Sequence, residues 1–139
     1  MTRINVGIGV KNLPDELLLA ELREIKRLPY FKVKCKNPDI PKEFTLGKGH
    51  IKFFLDKLRF AKDRYLRLKE EATERGFCVT DFSSNFEDLE GDWWPKERDT
   101  EMIKERIIER IMGSKKKTWH YYGKRITQEE AIEKIRKNL

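Results

Sequence analysis

The chain has 139 residues, 38% hydrophobic and 40% charged, which is enough for one domain with a core, too few for two, and too apolar for a disordered chain. Lys and Arg number 31 against 24 Asp and Glu, a net charge of +7, so the first expected partner is a polyanion, with nucleic acid ahead of a membrane surface. No stretch has the apolar length of a membrane span or a secretory leader, and Cys35 and Cys78 are too few for a disulfide scaffold or a four-cysteine zinc site. The expectation is a cytoplasmic protein with reduced thiols, no membrane association and no metal.

Residues 2–12 read as an extended or irregular arm. The initiator methionine is usually removed before a small residue, which here would expose the α-amine of Thr2. Such an amine has a reference pKa of about 7.7–8 and is a usable nucleophile near neutral pH, able to form an imine at a sugar carbon. A first helix is expected from Pro14 to Leu28, halted by Pro29, since the residue before proline is pushed out of helical geometry. At 100° per residue, Leu18, Leu22 and Ile25 share one side of it. Arg23, Arg27, Ala20 and Glu24 share the other.

Residues 29–49, with three prolines and two glycines, read as loop. A second helix is expected from Ile51 to Arg75, since Ile51, Phe54, Leu55, Leu58, Ala61, Tyr65, Leu68 and Ala72 recur at threes and fours. Gly76 supplies its stop. Residues 77–95 hold five carboxylates and no Lys or Arg, and read as an acidic loop that Trp93 and Trp94 pack onto the core. A third helix is expected from Glu97 to Met112, with Ile103, Ile107 and Ile111 on one stripe. A short last helix starts at Thr127, with Glu130 completing a capping box. No strand period is evident. The expected fold is all-α: a single compact domain over residues 1–139, with three main helices, long loops and a short C-terminal helix.

Arg23 and Arg27 lie one turn apart, as do Arg106 and Arg110. Residues 114–125 interleave lysines and Arg125 with Trp119, His120, Tyr121 and Tyr122. Guanidinium groups grip phosphates bidentately, and aromatic rings stack on or wedge between bases. Glu24 is anomalous on such a face, because a carboxylate repels phosphate. Two readings are open from spacing alone: it orients the arginines through an ion pair, or it acts on a reaction centre where positive charge develops or a proton moves. His50, at a helix start beside glycines, reads as a capping or core residue.

Taken together, MTRIN (1–5), AELREIKR (20–27), FTLGKGHIKFFLDKLRF (44–60), RGF (75–77) and WHYYGK (119–124) resemble, in order, one family. It is the phage-type pyrimidine-dimer DNA glycosylases with abasic-site lyase activity, the endonuclease V family of UV-damage repair. The likeness runs from Thr2 to about Ile126. It implies an all-helical domain that works as a monomer, without cofactor, on double-stranded DNA containing pyrimidine dimers or abasic sites. It implies Thr2 as the amine nucleophile and Glu24 as the essential carboxylate. Arg3, Arg23, Arg27, Arg106 and Arg110 would grip DNA, joined by Trp119, Tyr121, Tyr122 and Lys124 of the C-terminal region. Three features depart from the pattern. Leu17 stands where the family has a histidine, the connection before GKGH is shorter, and residues 127–139 extend past the usual end. The rival reading is a non-catalytic DNA-binding or architectural protein. An RNA-binding protein would explain the basic-aromatic stretch but not Thr2 with Glu24.

Overall fold

The computed structural model describes residues 4–35 and 38–138. Thr2 and Arg3 lie outside the described residues. The arm that follows them enters the core, with Ile4, Val6 and Ile8 fully buried, and ends in a 3-10 turn over Val10–Asn12.

Helix α1 spans Asp15–Ile25 and α2 spans Leu28–Lys34, which corrects two expectations. The first helix ends a turn before Pro29, and residues 29–34 are helix rather than loop. Proline in a helix interior lacks an N–H and its ring collides with the carbonyl four residues back, whereas the first turn needs no N–H. Pro29 therefore sits in the opening turn of α2.

The second expected helix is also divided. Helix α3 covers His50–Phe53, a 3-10 turn covers Phe54–Asp56, and α4 runs over Leu58–Glu74. Phe53, Phe54, Leu55 and Leu58 are all buried. An unbroken helix would fan the first three across about 200° of its surface. The break at Lys57 (φ −130°, ψ 42°) turns them all inward. The freed amides at the start of α4 find carbonyls in the acidic segment: Leu58 N–H donates to Glu90 O, and Arg59 and Phe60 N–H to Gly91 O. Gly91 has φ +112°, and a Cβ there would lie 1.9 Å from Asp56 O. At the other end, Gly76 N–H donates to Thr73 O and Phe77 N–H to Ala72 O, the paired bonds of a Schellman stop.

Trp93 packs as expected, stacked on Phe44 at 5.9 Å and edge-on to Phe53 and Phe60 at 5.1 and 5.0 Å. Trp94 does not; it is 76% exposed. Helix α5 spans Glu97–Gly113 and buries Ile103, Ile107 and Ile111.

A hairpin follows where no strand was expected. Strand β1 (Thr118–Tyr121) pairs antiparallel with β2 (Lys124–Thr127). Tyr122 and Gly123 form its two-residue turn with φ of 53° and 75°, the left-handed pair that matches strand twist. The strands have four residues each and no clean alternation of burial, so they carry no period to read. Helix α6, Gln128–Lys137, starts with the expected Thr127–Glu130 capping box. It is not an appendage: Ala131, Ile132 and Ile135 join the core, and Asn138 accepts from Gly9 N–H and donates to Gly7 O. The described chain is thus mostly helical around one hydrophobic cluster, with more and shorter helices than the sequence suggests.

Candidate active site

The open face of α1 forms one wall of a cleft of about 320 Å³. Leu17, Ala20, Arg23 and Glu24 come from α1, Arg110 from α5, Asn5 from the arm, Ser114 from just after α5 and Trp119 from β1. Glu24 keeps 27% of its side chain exposed, and Arg27 Nη1 lies 3.6 Å from its Oε2. Arg27 also sits over the Phe31 ring at 5.3 Å, so α2 braces it. Both readings of Glu24 therefore have geometric content, since the carboxylate touches an arginine and also lines an open cleft.

The arm reaches this cleft by a buried polar network that sequence reasoning missed. Glu21, 1% exposed and one turn before Glu24, receives Arg64 Nε at 2.8 Å and Nη2 at 3.0 Å. It also receives Asn5 Nδ2 at 2.9 Å, and Arg64 Nη1 donates to Ile8 O. A buried carboxylate so matched is held rigid, and removing one partner would strand the other. A signal was available: Glu21 falls on the Leu18–Leu22–Ile25 side of α1, and Arg64 on the Ala61–Leu68 stripe of α4. A charge on an apolar stripe calls for a buried partner.

The remaining sequence candidates divide. Arg106 lies one turn from Arg110, outside the cleft lining, and faces Glu109 at 3.8 Å. Trp119 lines the cleft with only 7% of its surface exposed, and its buried Nε1 lacks a hydrogen-bond partner. Tyr121 and Tyr122 are engaged elsewhere. Arg75, fully buried, lies 4.6 and 5.0 Å from their ring centres, Tyr121 Oη donates to Lys11 O, and Tyr122 Oη donates to Glu71. Burial, with the Glu71 carboxylate beside it, pushes the Tyr122 phenol above its usual value. Lys124 is exposed at the far side of this turn.

Two carboxylates at the start of α1 dock the hairpin. Asp15 accepts from Tyr122 and Gly123 N–H, and Glu16 from His120 N–H and Nδ1 and from Lys116. From Asp15 to Glu24 is nine residues of helix, about 14 Å. The tyrosine pair therefore belongs to the hairpin's docking site rather than to the Glu24 cleft. Leu17, where the resembled family has histidine, is an apolar part of the cleft wall. Among the described residues no cluster of three or more His, Cys, Asp or Glu could hold a metal ion.

Fold and cleft define a small, basic, mostly helical protein with one carboxylate set among arginines in an open cleft. A family model for pyrimidine dimer DNA glycosylase matches residues 1–85, more than half of the chain. The chain belongs to the pyrimidine dimer DNA glycosylase family, and is a DNA repair glycosylase whose substrate is DNA carrying pyrimidine dimers. The match covers the arm, α1 and α4. Arg110 and Trp119, which complete the cleft, come from beyond it.

Proposed function

We propose that the protein is a bifunctional glycosylase and abasic-site lyase, working as a monomer, with the Thr2 α-amine as nucleophile and Glu24 as the essential carboxylate. One observation carries this reading: the arm that begins at Thr2 is clamped to the wall of the cleft in which Glu24 sits among arginines. Only Arg3 lies between Thr2 and Ile4, and two residue steps reach at most about 7 Å.

Arg23, Arg27 and Arg110 hold the phosphates flanking the lesion. Bending the duplex and unstacking the damaged site costs a few kcal/mol, less where damage has already weakened pairing. The amine attacks C1′ of the 5′ nucleotide of the dimer and the C1′–N1 bond breaks. The base stays tethered through the cyclobutane ring, and the Glu24 carboxylate faces the positive charge developing on the sugar. The two amine protons pass to the departing pyrimidine N1 and to O4′ as the sugar ring opens, which leaves an imine at C1′. Glu24 then takes the acidified C2′ proton, the C3′–O bond breaks, and the strand ends in a 5′-phosphate. Water hydrolyses the imine and frees the amine. An abasic site enters the same sequence at its C1′ aldehyde.

The test is reduction during turnover. Borohydride should freeze a covalent protein–DNA adduct that maps to the peptide beginning at Thr2, not to Lys26, because a far larger share of an α-amine than of a lysine is unprotonated near pH 7. A preparation whose mass shows Met1 removed, and which binds lesion DNA without forming an adduct, would leave a glycosylase that activates water, or a DNA-binding module if no base is released.

A further inference from the structure

His50 is 1% exposed, and both its ring nitrogens are committed to backbone groups. Nε2 accepts the Ile4 N–H at 2.8 Å, and Nδ1 lies 2.9 Å from Thr45 O. An amide N–H can only donate and a carbonyl can only accept, so the ring carries its hydrogen on Nδ1 and presents a lone pair on Nε2. Phe44 and Phe54 meet the ring edge-on at 5.5 and 5.3 Å and leave it little freedom to turn. The imidazole, 46 residues from Ile4, thus ties the buried start of the arm to the turn before α3.

We propose that His50 is a positioning residue: by accepting the Ile4 N–H it fixes the backbone of Ile4, from which the chain runs back to Thr2, and so aims the nucleophilic amine. This rests on the Thr2 reading above. The Ile4, Val6 and Ile8 side chains fix how deep the arm lies, but apolar contacts do not fix rotation about it. Asn5 is held sideways by Glu21; the His50 bond restrains Ile4, the first described residue of the arm. A nucleophile displaced by about 1 Å loses on the order of 100-fold in rate, so a loosened arm should cost chemistry without costing affinity.

The two polar positions of the ring can be kept separately. His50→Gln carries an amide to where Nε2 lies and can accept from Ile4, whereas His50→Asn reaches only to Nδ1 and can serve only Thr45. With Met1 removed, each variant is mixed with a duplex bearing one abasic site, and single-turnover borohydride trapping is measured beside duplex affinity. Trapping should fall on the order of 100-fold in His50→Asn and only several-fold in His50→Gln, with both affinities near wild type. Equal trapping by His50→Asn and wild type would overturn the proposal, as would equal losses in both variants, which would assign the effect to core packing. No adduct from wild type would instead sink the Thr2 reading beneath it. Should His50→Asn fail to fold, ¹⁵N NMR of the wild type decides: a ring protonated at Nε2, or a freely exchanging Ile4 amide, would overturn the proposal.

Discussion

Glu24 concentrates the chemistry at the level of single residues. Its carboxylate lies 3.6 Å from Arg27 and lines the cleft with Arg23 and Arg110. Glu24→Gln keeps size and hydrogen-bonding capacity and removes the charge that opposes phosphate. Binding to dimer-containing duplex should be retained or tighter, while strand cleavage falls by about 10²–10⁴-fold, the span expected for a lost proton-transfer group. Near-normal cleavage by this variant would reduce Glu24 to an ion-pair partner of Arg27. Glu24 was visible in the sequence because it is wrong for its surroundings, a carboxylate on a cationic face. Asn5 was not visible, because it acquires its role only from Glu21, sixteen residues on.

Between elements, charge fixes geometry as much as apolar contact does. Arg75 donates to Asp15, Glu71 and the carbonyls of Leu13 and Val10, and so joins the arm, α1 and the end of α4 under the hairpin. Beside it, Glu16 docks β1. Partial burial raises the Glu16 pKa, but hydrogen bonds from His120 and Lys116 outweigh that effect, and the net value lies below its ordinary 4.5. A depressed carboxylate pKa adds stability that is complete above the unfolded value and is lost as pH falls through the folded one. Wild type should therefore be more stable than Glu16→Gln near pH 6, and thermal melts should show the gap closing below about pH 4.5. A gap unchanged at pH 3 would mean that Glu16 docks the hairpin by shape and not by charge. The hairpin itself was illegible in the sequence: its strands are too short for a period, and half of what fixes them is on α1.

For the whole molecule, the net charge of +7 is organised rather than diffuse. The five carboxylates of the acidic segment are exposed, while its Glu90 and Gly91 carbonyls accept the first amides of α4 and its Trp93 fills an aromatic cluster. Arg23, Arg27 and Arg110 stay exposed and Arg106 partly so. If each neutralises a phosphate, the slope of log affinity against log salt should be about −0.9 per contact, and Arg110→Ala should make it shallower by about one unit. Titrating undamaged duplex from low to physiological salt checks this, and a flat profile would remove the electrostatic reading of the face.

Residue types and their spacing determined on their own the mostly helical character, the buried stripes of α1, α4 and α5, the capping of α6, the basic face and the misfit carboxylate within it. These are local properties, fixed by a period of 3.6 residues and by the chemistry of each side chain. The tertiary structure alone decided that Pro29 opens a helix, that the helix expected from Ile51 breaks at Lys57, and that Trp119 turns inward while Trp94 faces out. It also decided that Glu21, Arg64, Asn5 and His50 hold the arm beside Glu24. Each of these depends on a partner distant in the chain, because a buried polar group is tolerated only where another segment completes its hydrogen bonds, and no local pattern records which segment that will be.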